Sequence, residues 1–109
     1  MKIGILISTG DPETLWNAFR FANLCINADD FSNEVTIFLS AKAVAYESVD
    51  SEKFNIKELA KSFILSEGKL LVCGKCLGFR GLEENEICHK GTQKDLYKMV
   101  ATSDKLVSF

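Results

Sequence analysis

The residues with the clearest capacity for chemistry are two cysteines three positions apart, Cys73 and Cys76. Cys73 follows the apolar run Leu70–Val72, which is typical of a buried parallel strand, and Gly74 comes directly after it. In open α/β sheets, ligands bind beyond the carboxyl ends of the strands. Amides at the start of a following helix, and the charge of Arg80, would favour a thiolate at that place. We therefore predict that Cys73 is the most reactive thiol of the chain.

Other interpretations of the cysteine pair remain open. Cys73 could be a small buried residue that closes a strand, since free cysteines are often buried. A C-x-x-C pair also suggests a thioredoxin-like dithiol, although that motif normally opens a long helix after the first strand of its fold. Zinc would need Cys88 and His89 as further ligands, and neighbouring residues on a strand face opposite ways. We expect no metal, and we keep His89 as a possible general base or an ordinary surface residue.

Two further features could bind an anion. Arg80 could hold an anionic group or the thiolate, or it could pair with Glu83 or Glu84. The turn after the first strand contains Thr9 and Gly10, whose backbone amides precede a helix and suit an anion. No glycine-rich nucleotide signature is present, and an N-cap residue in the same turn would compete for those amides. The candidate binding residues are Gly74, Arg80, Thr9 and Gly10, and we expect no organic cofactor.

The elements that must position these residues alternate between strand and helix. Apolar segments predict five strands: Ile3–Ile7, Val35–Leu39, Lys69–Val72, Ile87–His89 and Leu106–Phe109. Helices are predicted after Asp11 as far as Ala28, from Ala41 to Tyr46, over the apolar positions Ile56–Ile64, briefly after Cys73, and after Thr92. This alternation predicts an α/β fold of three layers, with a mainly parallel five-stranded sheet and helices on both faces.

Several local signals fix the expected boundaries. Asp11 before Pro12 indicates an N-cap, and the run Thr92–Asp95 indicates a capping box. We expect Ser40 to cap the short second helix, the segment 47–54 to be a surface loop, and Gly68 to be the C′ residue of the third helix.

Size and composition indicate an ordinary globular protein. The 109 residues suit a single domain, 1–109, with one core. Thirteen basic and fifteen acidic residues include no basic tract, so we expect no nucleic-acid binding. The apolar runs are too short for a membrane span, and the N-terminus lacks the pattern of a secretory signal. We therefore expect a cytoplasmic protein with reduced thiols, and a subunit contact along the nearly all-apolar helix after Asp11.

The cysteine run resembles the DsrE/DsrF-like family of sulfur-relay proteins, which includes TusD-like and YchN-like members. The resemblance rests on Cys73, Cys76, Arg80 and Gly81, and it extends over nearly the whole chain. The turn Thr9–Glu13, the second strand with its helix, and the closing helix and strand are similar to the corresponding parts of the family.

The resemblance implies a flavodoxin-like, DsrE-like fold and a homotrimer or homohexamer, with neither metal nor organic cofactor. In that family the active cysteine lies seven residues before the arginine of an Arg-Gly pair, which is the spacing of Cys73 and Arg80. Cys73 would then carry a persulfide sulfur from a donor protein to an acceptor protein, as a sulfurtransferase-like carrier. The alternative is a non-catalytic oligomeric binding module that holds a small molecule or a partner peptide.

Overall fold

The computed structural model describes residues 1–109, and its five strands form one parallel sheet. The strands are β1 (Lys2–Ile7), β2 (Glu34–Leu39), β3 (Lys69–Cys73), β4 (His89–Gly91) and β5 (Lys105–Ser108). They stand in the order β4-β3-β2-β1-β5, and every pairing is parallel. The predicted five-stranded parallel sheet is therefore confirmed.

Helices cover both faces of this sheet, as predicted. They are α1 (Pro12–Ile26), a 3₁₀ helix (Ala41–Val49), α2 (Ile56–Leu65), α3 (Gly74–Phe79) and α4 (Gln93–Thr102). The chain steps from β1 to β2 to β3 in one direction, so right-handed crossovers put α1 and α2 on the same face. The step from β4 back to β5 runs the other way, so α4 lies on the opposite face.

The core follows from the alternation of side chains along the strands. Ile5, Ile37 and Leu70 stand beside one another in register, are almost fully buried, and belong to the face that α1 and α2 cover. Cys73 lies an odd number of residues from Leu70, so it points to the face of α4.

Local capping signals explain where the two best-defined helices begin. The Asp11 side chain accepts a hydrogen bond from the backbone N–H of Thr14 at 2.9 Å, so it is the N-cap of α1. Thr92 and Asp95 form a complete capping box at the start of α4. Both predicted caps are confirmed.

The end of α2 corrects one prediction by a single residue. Glu67, with φ of 69°, occupies the left-handed C′ position that we predicted for Gly68. Gly68 is the next residue, and its N–H donates to the carbonyl of Phe63 at 2.9 Å, which completes a Schellman motif. A Cβ on Gly68 would lie 2.4 Å from the Phe63 ring, so close packing requires glycine here.

Two other predicted boundaries are wrong. The helix after β2 continues as a 3₁₀ helix to Val49, so the expected loop starts later, and Ser40 makes no side-chain cap there. The fourth strand begins at His89, not at Ile87, because Asn85 turns the chain by accepting the backbone N–H groups of Ile87 and Cys88.

Helix α1 keeps an apolar face that the chain itself does not cover. Leu24 is 69% exposed and Phe21 is 37% exposed, and the Phe21 ring lies 6.0 Å from the ring of Phe109. None of the helices combines the length and the hydrophobicity needed to cross a membrane.

Candidate functional site

Cys73 lies at the junction of strand and helix that the sequence predicts. It is the last residue of β3 and the N-cap of α3, and it is 8% exposed. Its Sγ accepts a hydrogen bond from the backbone N–H of Cys76 at 3.3 Å. The thiol therefore replaces the hydroxyl or carboxylate oxygen that more commonly caps a helix.

Cys76 lies in the first turn of α3 and faces the end of the neighbouring strand β2. Its Sγ accepts a hydrogen bond from the backbone N–H of Ala41 at 3.3 Å. Ala41, with φ of 52°, has a left-handed backbone that is uncommon outside glycine. This conformation belongs to the turn that directs the Ala41 amide at the sulfur of Cys76.

The acidity of the two thiols is the reverse of our prediction. Burial raises the pKa of Cys73, and its hydrogen bond toward Cys76 raises that pKa further. The hydrogen bond from Cys73 lowers the pKa of Cys76, and so do the Ala41 amide and the charge of Arg80. The thiolate of the pair is therefore favoured at Cys76, whereas the helix amides and Arg80 led us to expect it at Cys73.

Arg80 acts on the pair from the far end of α3. Its Nη1 donates to the carbonyl oxygen of Cys76 at 3.1 Å, and its charge lowers the pKa of the Cys76 thiol. The alternative pairing with Glu83 or Glu84 is wrong, because neither carboxylate forms an ion pair with Arg80. Glu84 instead accepts the backbone N–H of Lys90 at 3.0 Å.

Cys73 lines an open groove between α3 and the start of α4. We call it the lysine groove; it has a volume of about 750 Å³, and its walls are Cys73, Gly74, Lys75, Lys90, Gly91, Thr92, Gln93 and Lys94. Cys76 is not among them. Gly74 adds no side chain to the wall, and a Cβ there would lie 3.6 Å from the carbonyl oxygen of Gly91.

The charge of the lysine groove is a feature that sequence analysis missed. Three of its eight wall residues are lysines, and all three are exposed. Lys90 and Lys94 follow Cys73 by 17 and 21 residues, and only the pairing of β4 beside β3 brings them to the sulfur. The correct register of β4 beside β3, with Gly91 opposite Cys73, would have indicated the groove from the sequence. The fourth strand was predicted two residues too early, so this register was missed.

Thr9 and Gly10 lie at the same edge of the sheet but outside the lysine groove. The hydroxyl oxygen of Thr9 accepts the backbone N–H of Asp11 at 3.0 Å. Gly10 packs against the 3₁₀ helix, where an added Cβ would lie 2.9 Å from the Cβ of Lys42. Both residues therefore have local structural roles, and the structure does not bring them to Cys73.

The remaining candidates do not join the pair. Cys88 is buried, and burial raises its pKa to about 12. The exposed His89 side chain lies 4.0 Å from Glu84, so the adjacent side chains of Cys88 and His89 diverge. Cys25 is half-buried against the core, which raises its pKa. No three histidine, cysteine or acidic side chains gather where they could hold one metal ion.

Comparison with known proteins gives one family and one fold. The sequence matches the DsrE/DsrF-like family over residues 1–109. An uncharacterised protein of Methanocaldococcus jannaschii is 33% identical, with all of both chains covered. The crystal structure of the YchN protein from E. coli covers all of both chains with a TM-score of 0.84 at 21% identity. The structure of a conserved protein of unknown function from Bacteroides thetaiotaomicron matches with a TM-score of 0.78 at 16% identity, covering 99% of this chain and 94% of that one.

Proposed function

Because the chain belongs to the DsrE/DsrF-like family, we propose that it is a small sulfur carrier, which accepts and passes on a persulfide sulfur at Cys73. The single observation that carries the proposal is the placement of the Cys73 thiol. It lines the lysine groove, whereas the partner thiol of Cys76 does not line it and accepts the backbone N–H of Ala41.

The paired thiols supply the proton transfers that this reaction needs. The thiolate favoured at Cys76 takes the proton of the Cys73 thiol, which belongs to the same turn. Cys73 then attacks the outer sulfur of a donor persulfide, forming a new S–S bond as the donor's S–S bond breaks. The donor leaves as a thiolate and takes the proton from Cys76. The products are a persulfide on Cys73 and a free donor thiol.

The charge of the lysine groove supports access by an anionic reactant. Persulfides are stronger acids than thiols and are largely anionic at neutral pH, and three lysines around the entrance raise the local concentration of anions. The donor then reacts as the protonated persulfide in equilibrium with this anion. Donor and acceptor are then proteins that present a persulfide or a thiol on an exposed segment. A carrier of this kind needs reduced thiols, so we propose that it works in the cytoplasm.

We also propose that the carrier is a homotrimer or a homohexamer. The support is the uncovered apolar face of α1, where Leu24 and Phe21 are exposed next to Phe109. Exposed apolar surface of this kind is typical of a subunit contact. Light scattering of dilute protein should give the mass of three or six chains, and the mass of one chain would contradict the assembly.

The second candidate function is a binding module that uses the same groove without sulfur chemistry. The volume of the lysine groove, about 750 Å³, is sufficient for a small anionic molecule or a peptide side chain. In this case Cys73 would be part of the wall, and its replacement by serine would leave function intact.

Sulfur loading separates the two functions. The protein is incubated with a cysteine desulfurase and cysteine, quenched early with iodoacetamide, and analysed by intact mass. The wild type and Cys76→Ser should gain one sulfur, while Cys73→Ser should gain none, although the substitution barely changes volume. Cys25→Ser is the matched control and should load like the wild type. Equal loading of Cys73→Ser would contradict the carrier and favour the binding module.

A further inference from the structure

We propose that the Cys73–Cys76 pair also reduces its own cargo, so that the carried sulfur is released as hydrosulfide and an intramolecular disulfide remains. This activity rests on the proposed function, because the sulfur must first be bound to Cys73. It makes Cys76 a second catalytic residue, and it identifies a dithiol reductant as the class of partner that restores the site.

The geometry of the turn places the two sulfurs for this step. The Sγ of Cys73 lies 3.3 Å from the backbone N of Cys76, which is only two bonds from the Cβ that bears the second sulfur. Cys73 caps the helix and Cys76 lies in its first turn, so both thiols belong to one turn. Cys25 and Cys88 lie elsewhere in the fold, and neither has a sulfur that accepts a backbone N–H.

The surroundings of Cys76 suit it to be the attacking thiolate in the release step. The Ala41 N–H donates to its sulfur, and Arg80 is bound to the carbonyl oxygen of the same residue. These groups favour the thiolate, which is the form that attacks S–S bonds. After loading, the Cys73 sulfur is bonded to the cargo and no longer donates a hydrogen bond. The Ala41 amide and the charge of Arg80 then remain as the groups that favour the Cys76 thiolate.

The choice of leaving group directs the attack to the inner sulfur. Attack at the outer sulfur would expel the thiolate of Cys73, whose pKa is raised by burial. Attack at the inner sulfur expels hydrosulfide, which comes from a stronger acid than a buried thiol and is the better leaving group. The internal reaction therefore releases sulfide.

The step balances without an external oxidant. The Cys76 thiolate forms a bond to Sγ of Cys73, and the bond between that Sγ and the outer sulfur breaks with its electron pair. The outer sulfur leaves as HS⁻ and is reduced, while the two cysteine sulfurs are oxidised to a disulfide. A dithiol then reduces the disulfide by two exchange reactions and returns both cysteines to their starting state.

Release is measured on protein that is loaded chemically with sodium polysulfide, desalted, and held without reductant. The wild type should release one sulfide per chain, and its intact mass should end about 2 Da below that of the reduced protein. Cys76→Ser should keep the extra sulfur, about 32 Da, and release it at least about tenfold more slowly. Cys25→Ser is the matched control and should behave as the wild type.

Two results would overturn the proposal. One is sulfide release from Cys76→Ser at the wild-type rate, and the other is wild-type release without formation of the disulfide. Chemical loading keeps this test independent of any donor protein. A protein that fails to load from a desulfurase, but loads with polysulfide and then forms the disulfide, would count against the proposed carrier and leave the sulfide-releasing pair supported.

A second measurement examines the disulfide alone. Equilibration in a redox buffer of reduced and oxidised dithiothreitol should give the intramolecular disulfide in the wild type and in Cys88→Ser. It should not appear in Cys73→Ser or Cys76→Ser. Failure of the wild type to form it at any ratio would also contradict the proposal, because the release step ends in that bond.

Discussion

The four cysteines fall into two pairs with opposite surroundings. Cys73 and Cys76 lie in the turn after β3, and each sulfur accepts a backbone N–H at 3.3 Å. Cys25 and Cys88 contact the same hydrophobic core as the first pair, but neither of their sulfurs accepts a backbone N–H. Burial raises the pKa of both thiols, as it does that of Cys73. Burial alone therefore does not determine the chemistry of a thiol. Cys73 and Cys88 are both buried, but only Cys73 accepts a backbone N–H and lines an open groove.

The largest expected effect is on alkylation of the native protein. Cys76 should react with iodoacetamide first and Cys73 second, because the thiolate of the pair is favoured at Cys76. Cys88 should react at least about a thousandfold more slowly than Cys76. Its pKa is raised from 9.0 to about 12, and each unit by which the pKa rises lowers the thiolate fraction about tenfold. Peptide mapping after timed labelling measures this order, and unfolding in urea should make all four thiols equally reactive. Early labelling of Cys88 in the native state would contradict the difference between the two cysteine pairs.

A smaller effect concerns stability at high pH. The pKa of Cys88 rises from an ordinary value of 9.0 to about 12 on folding, so above pH 9 the unfolded chain loses a proton that the native chain keeps. This contribution to stability is fully present below pH 9 and is lost as pH rises from 9 toward 12. Between pH 8 and pH 10, the free energy of unfolding should fall by about 1.4 kcal/mol more in the wild type than in Cys88→Ala.

Urea denaturation at the two pH values measures this difference. Every other titrating group is present in both proteins, so the comparison with Cys88→Ala reports the Cys88 thiol together with its effect on the neighbouring Tyr46 hydroxyl. Equal pH dependence in the two proteins would mean that Cys88 reaches solvent in the folded state, and the contrast between the two cysteine pairs would then disappear.

The smallest effect tests the charge of the lysine groove. Cys73 should react faster with an anionic methanethiosulfonate than with a cationic one of similar size, by about tenfold at low salt. The test uses Cys76→Ser as background, so that Cys73 is the thiol observed at the site. Replacement of the groove lysines by glutamine should remove most of the preference; these are Lys75, Lys90 and Lys94.

A charge-matched control makes this test specific to the groove. Glutamine at three exposed lysines that do not line it should leave the preference in place; these are Lys53, Lys61 and Lys105. High salt should reduce the preference in every variant, because mobile ions screen exposed charges. An equal loss in the control variant would mean that net charge, and not the groove, attracts the anion.

The fold could be predicted from the sequence where the determining signals are local. The starts of α1 and α4 were predicted correctly because each N-cap is formed by residues within four positions of one another. These are Asp11 with Pro12, and Thr92 with Asp95. Cys73 was also predicted at the correct strand end, since an apolar run followed by glycine is a local pattern. The fourth strand was misplaced because the turn at Asn85 depends on one side chain that binds two amides.

The site could be predicted only in part, because its electrostatics depend on contacts between distant segments. The Ala41 amide reaches Cys76 across 35 residues of sequence, from the end of a different strand. Nothing near Cys76 in the sequence indicates that donor, so the acidity of the two thiols was assigned in reverse. Lys90 and Lys94 reach the groove in the same way, through the pairing of β4 with β3.

The most direct test of sulfur transfer at Cys73 is to locate the sulfur in wild-type protein. The protein is loaded by a desulfurase with cysteine, quenched within seconds with iodoacetamide, digested, and sequenced by tandem mass spectrometry. The alkylated persulfide should lie on Cys73, with Cys25 and Cys88 free of added sulfur. A persulfide that accumulates on Cys76, Cys25 or Cys88 instead, or the absence of any persulfide from both the wild type and Cys76→Ser, would contradict transfer at Cys73.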